Sequence, residues 1–318
     1  MKTLRFAFLA SCQLIVVVLA TSLGAQQAPP AAQAPQPAAA AGRGRGPVPV
    51  DARVQIRSHH FAGTNEDIPY ALFVSSKVTP DRKAPMIVTL HGLGGTHTTM
   101  MRPNAIDLAE AGGYILLAPM GYNPRGWYGI PAGPRRGGPP PNAAANPNAA
   151  PANPTAALPG VGRQGPPPGA INAANDPPDV RELSEKETLE VVELARKEFN
   201  VDDNRTYLMG HSMGGAGTYY LAVKYPERWA AIATLAPAAF GLDPNSLGKI
   251  PKMPVMVVHG DMDTAVPVAL SRTWVETMKG LNMTHQYIEV PGGDHGSVIS
   301  SHQAEIFAFF AKYAKPAR

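Results

Sequence analysis

Away from two compositionally biased stretches, continuous apolar runs alternate along the chain with segments in which apolar residues recur every three or four positions. The runs "YALFVSS" (70–76), "PMIVTLHG" (85–92), "YILLAPM" (114–120), "RTYLMG" (205–210), "AAIATLAP" (230–237), "PVMVVHG" (254–260) and "HQYIEV" (285–290) read as strands. Several are apolar at consecutive positions, as strands covered on both faces should be. His59 and His60 fall in a further strand expected near the N-terminal end of the folded region. Helical spacing appears at about 99–111, 185–199, 213–224, 268–280 and 298–313. In 185–199 the apolar positions are Leu189, Val192, Ala195 and Phe199, and Ser184 with Glu187 matches an S-x-x-E capping box. This alternation predicts an α/β fold, with a mostly parallel central sheet flanked by helices on both faces.

Two stretches break the pattern. Residues 26–50 are almost wholly Ala, Pro, Gln and Gly, and residues of about 131–179 hold 14 of the 34 prolines with only Leu158, Val161 and Ile171 as large aliphatics. Neither can bury enough apolar surface to offset the entropy of ordering, so both read as disordered, the second as an insert in the folded domain. Before them, Lys2 and Arg5 precede an apolar stretch and then small residues around Ala25, the layout of a secretory signal peptide over 1–25. Ser11, Cys12 and Gln13 interrupt the run, which argues against a retained membrane span. The expected organisation is therefore a leader, a linker over 26–50 and a domain over 51–318, in a secreted or periplasmic protein with no stable span after processing. "LASC" before Gln13 also resembles a lipobox, and lipidation of Cys12 is the alternative.

Composition narrows the chemistry. Cys12 is the single cysteine, so a mature chain would lack disulfides, thiolate metal sites and a cysteine nucleophile. The net charge of +4 includes arginines set among glycine and proline, in "GRGRG" and "GPRRGG", rather than on a patterned face, so no nucleic-acid partner is expected. No pair of histidines has metal-ligand spacing with a third ligand, and neither a metal nor another cofactor is expected. Oligomeric state is not legible.

In a parallel sheet the loops leaving the carboxyl ends of the strands share one edge. Four such loops carry reactive groups. "LMGHSMGGAGTYY" puts Ser212 between a strand and a helix, with Gly210 and Gly214 small enough for strand and helix to approach closely. "TLHGLGGTHTT" offers an exposed backbone, in which the N–H of Leu93 could join that of Met213 as an oxyanion donor. "VVHGDMDTAVP" supplies Asp261 and Asp263; Asp263 is the chosen acid, with Asp261 a helper or a turn residue. "EVPGGDHGSV" presents His295 as a general base, since a serine hydroxyl needs a base and that base needs an acid to fix its tautomer. His91 and His259, at strand ends, are expected to brace loops, and His211 fills the variable position before the serine.

The chain order Ser212, Asp263, His295 is that of the α/β-hydrolases. Over about 80–313, and through "GWYG" (126–129), "VDDNRTYLMGHSMGGAGTYYLAVKYPERWAAIATLAP" (201–237) and "VVHGDMDTAVP", the chain resembles secreted esterases of the polyhydroxybutyrate depolymerase and feruloyl esterase kind. It also resembles phospholipase/carboxylesterases and the catalytic domains of prolyl oligopeptidase-type peptidases. The resemblance implies that Ser212 is acylated, that His295 is the base oriented by Asp263, and that Leu93 and Met213 supply the oxyanion N–H groups. It further implies that Trp127 and Tyr128 line the acyl or alcohol pocket. The expected activity is hydrolysis of small-molecule or polymer-derived carboxylic esters. A peptidase acting on short peptides and a non-catalytic binding module are the competing readings.

Overall fold

In the computed structural model, β1 (Gln55–Phe61), β2 (Glu66–Val74), β3 (Ala84–Leu90), β4 (Ile115–Ala118), β5 (Val201–His211), β6 (Ile232–Leu235), β7 (Val255–Gly260) and β8 (His285–Val290) form one sheet. Their spatial order is β1-β2-β4-β3-β5-β6-β7-β8. β1 pairs antiparallel with β2, and β2 antiparallel with β4, while every pairing from β4 to β8 is parallel. The structure describes residues 50–131 and 176–316, all within one compact unit, Gly44–Arg318. The expected leader, the linker but for residue 50, and most of the expected insert lie outside the described residues. The chain on either side of the gap is tied together: Arg125 pairs with Asp176 at 2.8 Å, and Arg181 Nη1 donates to Ile130 O at 2.5 Å.

Strands β3, β4, β6 and β7 are buried at every position because both faces are covered. Met86, Val88 and Leu90 of β3 point into one core with Leu208 of β5, whereas Ile87, Tyr207 and Met209 point into the other. The first core is closed by α2 (Val180–Glu198), α3 (Met213–Lys224) and α4 (Val268–Gly280), which contribute Val191, Ala216, Tyr219 and Trp274. The second is closed by α1 (Pro103–Gly112), α5 (Val298–Ser301) and α6 (Gln303–Phe310), through Ile106, Val298, Phe307 and Phe310. α3 and α4 occupy the expected ranges.

Two expectations need correction. The S-x-x-E signature does not begin α2, which starts one turn earlier at Val180; Ser184 and Glu187 are fully buried inside it. Their polar atoms serve a neighbouring loop instead: Tyr128 N–H donates to Ser184 Oγ, and the Gly121 and Tyr122 N–H groups donate to Glu187 Oε2. Burial pushes the Glu187 carboxyl up, against hydrogen bonds from His59 and that backbone. The C-terminal helix is likewise two segments, interrupted at His302, whose φ of −130° leaves the helical region.

Candidate active site

Four loops converge at the carboxyl edge of the parallel strands. At the end of β5, Ser212 takes φ 56° and ψ −116°, a region that non-glycine residues rarely occupy. The turn is held by its neighbours, since Ser212 N–H donates to Leu235 O at 2.9 Å and Ser212 O accepts from Ala216 and Ala238. The glycines beside it are sterically required. A Cβ on Gly210 would lie 2.2 Å from Gly214 O, and one on Gly214 would lie 2.3 Å from Leu90 O.

α3 starts at Met213, immediately behind the serine, so its unpaired N–H groups and positive dipole end face the hydroxyl's surroundings. Neither the Met213 N–H nor the Leu93 N–H has an acceptor among the described residues. The turn carrying Leu93 is fixed by Gly94 N–H donating to Pro124 O and Gly95 N–H to Gly92 O, both at 2.9 Å. His91, at the base of this turn, lies with its ring nitrogens 2.8 Å from Gly92 O and Met120 O, and burial lowers its pKa.

After β7, Asp263 folds back beneath His295, which follows β8. His295 Nδ1 donates to Asp263 Oδ2 at 2.7 Å. The other carboxylate oxygen accepts from Ala265 N–H and Val266 N–H, each at 2.8 Å. Burial would lift this carboxyl, but donors from His259, His295 and Val266 hold it well below the usual carboxylate range. Asp261 braces the adjoining loop by accepting from Gly292 N–H at 2.7 Å, and Asp294 does so by accepting from Gly296 and Ser297.

Asp263 and His295 are therefore in contact, while no hydrogen bond joins Ser212 Oγ to His295 among the described residues. Such bonds often close only when substrate is bound. His211, next to the serine, makes the nearer link. Its Nε2–H donates to the His295 carbonyl at 2.7 Å, and the two rings lie 4.6 Å apart. Burial and the neighbouring His295 push its pKa down to about 3, so it is a neutral donor.

The pair expected to line the pocket separates. Tyr128 is wholly buried with its hydroxyl donating to His91 O at 3.1 Å, which leaves it no surface to offer a substrate. Its ring packs edge-to-face against that of His91, with centroids 5.7 Å apart. Trp127 is half-buried, with the Arg181 guanidinium over its ring at 5.5 Å.

The segment 179–312 matches the phospholipase/carboxylesterase family model. A thermostable esterase of known structure superposes with a TM-score of 0.55 at 23% identity, covering 84% of this chain and 64% of that one. An S-formylglutathione hydrolase from Agrobacterium tumefaciens superposes with a TM-score of 0.57 at 17% identity, covering 82% and 95%. The chain has the α/β-hydrolase fold. Within this chain, 95 residues are 33% identical to Cutinase 1 of Thermobifida cellulosilytica. That match takes in 30% of this chain and about a third, 34%, of the cutinase. Among the described residues, no group of three or more His, Cys, Asp or Glu could hold a metal ion, and no helix is long and apolar enough to cross a membrane.

Sequence reasoning undervalued two residues. His259 hydrogen-bonds Asp263 from a fully buried position, and the His-to-Asp separation of four residues around a strand-end turn was the available sign. His211 binds the loop that carries His295, for which the sequence holds no local sign, because the contact spans 84 residues.

Proposed function

We propose that this protein is a serine hydrolase that cleaves carboxylic esters through an acyl-enzyme. Ser212 Oγ attacks the ester carbonyl carbon while His295 Nε2 takes the hydroxyl proton, and the resulting imidazolium is stabilised by the ionised Asp263 at Nδ1. The tetrahedral oxyanion accepts hydrogen bonds from the N–H groups of Leu93 and Met213. Collapse breaks the bond to the alcohol oxygen, which receives the proton from His295. Water, deprotonated by the same imidazole, then attacks the acyl-enzyme carbonyl, and collapse breaks the bond to Ser212 Oγ, which takes that proton from His295 as the acid product leaves.

The observation that carries this reading is the 2.7 Å contact between Asp263 Oδ2 and His295 Nδ1, at the edge where Ser212 sits in a strained turn at the head of α3. The phospholipase/carboxylesterase match supports esters as the substrate class, and the cutinase similarity is the reason to include polymer-derived esters. The leader-like residues 1–25 support export.

Two measurements test the proposal. Wild-type protein should hydrolyse p-nitrophenyl acetate and butyrate and be labelled by a fluorophosphonate probe, and Ser212→Ala should lose both. Undiminished turnover by folded Ser212→Ala protein would overturn the proposal. Higher kcat/KM on alanyl or prolyl anilides than on the esters would favour the peptidase reading.

A further inference from the structure

The Asp263 carboxylate receives two imidazoles. Besides His295 at 2.7 Å, His259 Nε2 lies 3.1 Å from the same oxygen, Oδ2, and 2.9 Å from Val266 O. Two acceptor oxygens face that nitrogen in a site closed to water, so it must carry the proton; a bare lone pair there would meet two others. The opposite nitrogen, Nδ1, is 2.7 Å from Ser271 Oγ on α4, and the serine hydroxyl supplies the donor it needs. His259 and Ser271 are both fully buried. The result is a continuous line from α4 to the edge of the sheet: Ser271 to His259, His259 to Asp263, Asp263 to His295.

His259 does more in this line than fill the core. The backbone N–H groups of Ala265 and Val266 hold Oδ1, so the carboxylate can still pivot about that end. A fixed N–H on Oδ2 stops the pivot and keeps that oxygen facing His295. It also draws electron density from the oxygen that His295 uses, and a carboxylate with one donor fewer would hold a proton on His295 more strongly. We infer that His259, its tautomer locked by Ser271, is a positioning residue that sets both the direction and the hydrogen-bonding strength of the Asp263 carboxylate toward His295. This inference rests on the serine-hydrolase reading above.

The other ionisable groups around the pair are His211 from β5, Arg102 at the start of α1, whose charge reaches His211, and Asp294 on the loop after β8. Glu289 on β8 is the carboxylate within electrostatic reach of His259 from that strand. None of them is altered by the substitutions that follow.

The test is the pH dependence of kcat for p-nitrophenyl butyrate hydrolysis by wild type, His259→Phe and Ser271→Ala, with Ser212→Ala as control. His259→Phe keeps a planar ring, somewhat larger than imidazole, and removes the donor. Its kcat should fall roughly 10- to 100-fold with KM within about twofold, as for a misaligned catalytic group. The acidic limb of its profile should move upward by about half a pH unit, because His295 holds its proton more tightly against a less satisfied carboxylate. Ser271→Ala, which unlocks the ring without removing it, should move the limb in the same direction by less. Should the phenylalanine variant fail to fold, the serine variant carries the test alone.

An acidic limb that stays in place in every folded variant overturns the inference whatever happens to kcat, since a purely structural role lowers activity without moving the limb. Retained turnover in Ser212→Ala would strike the parent reading instead. Loss of turnover in that control with unmoved His259 and Ser271 variants would strike this inference alone.

Discussion

Replacing Asp263 by Asn keeps the shape of the side chain and reverses the chemistry at one oxygen. The amide oxygen remains at the Oδ1 position, because Ala265 N–H and Val266 N–H both point there at 2.8 Å and an NH2 group in that place would face two donors. The NH2 then falls where Oδ2 was, 2.7 Å from His295 Nδ1 and 3.1 Å from His259 Nε2. His295 can accommodate it only by shifting its proton to Nε2, the nitrogen that must take the proton of Ser212. A wrong-tautomer block of this kind costs about 10⁴-fold in kcat, or about 5.4 kcal/mol of barrier at about 1.36 kcal/mol per decade. Two charge-assisted hydrogen bonds at about 1.5–3 kcal/mol each are lost, partly offset because a neutral amide is cheaper to bury, so the fold should weaken by roughly 2–3 kcal/mol. Circular dichroism melts first fix a temperature at which the variant is folded. Steady-state hydrolysis of p-nitrophenyl butyrate is then measured against wild type at neutral pH. A folded Asp263→Asn protein within tenfold of wild-type kcat would refute the assignment of Asp263 as the orienting acid.

Three further outcomes follow from other parts of the site. Gly214→Ala places a methyl 2.3 Å from Leu90 O and 2.7 Å from His91 O, backbone atoms that cannot rotate away; stability should drop by about 1–3 kcal/mol or more, and an unchanged melting temperature would contradict the close strand-to-helix approach. His211→Leu removes the donor to the His295 carbonyl, so kcat for p-nitrophenyl butyrate should fall roughly tenfold with the melting temperature lowered by only a few degrees, and unchanged kcat would show that the contact does not position the base. Because the folded Asp263 carboxyl sits below its ordinary value of 3.8, the folded state binds fewer protons there than the unfolded one. Its contribution is therefore complete above about pH 4 and is lost as pH falls through the lower, folded value. Urea melts between pH 2 and 5 should thus show a steeper acid loss in wild type than in Asp263→Asn, and equal slopes would contradict the depressed value.

The amino-acid sequence by itself determined the alternation of strands and helices and the tight serine turn. Continuous apolar runs such as "PMIVTL" can be satisfied only between two covered faces, and only glycine fits at positions 210 and 214, so pattern and composition carried that information locally. Asp263 could be preferred to Asp261 from spacing, and the structure sets the two to different tasks, one on His295 and the other on Gly292 N–H. The partners that cross the fold were left to the tertiary structure. Ser184 and Glu187 carry a capping pattern, yet α2 extends past them because the loop at 121–128 supplies donors that a helix start would otherwise provide. Tyr128 turned inward for the same reason, its hydroxyl finding His91 O, 37 residues away in the chain. His211 and His259 became part of the site through contacts that depend on strand order, which brings β5, β7 and β8 to one edge. Local propensity is written in neighbouring residues, whereas a buried polar group takes whichever partner the packed sheet delivers, and that choice is made only when distant segments meet.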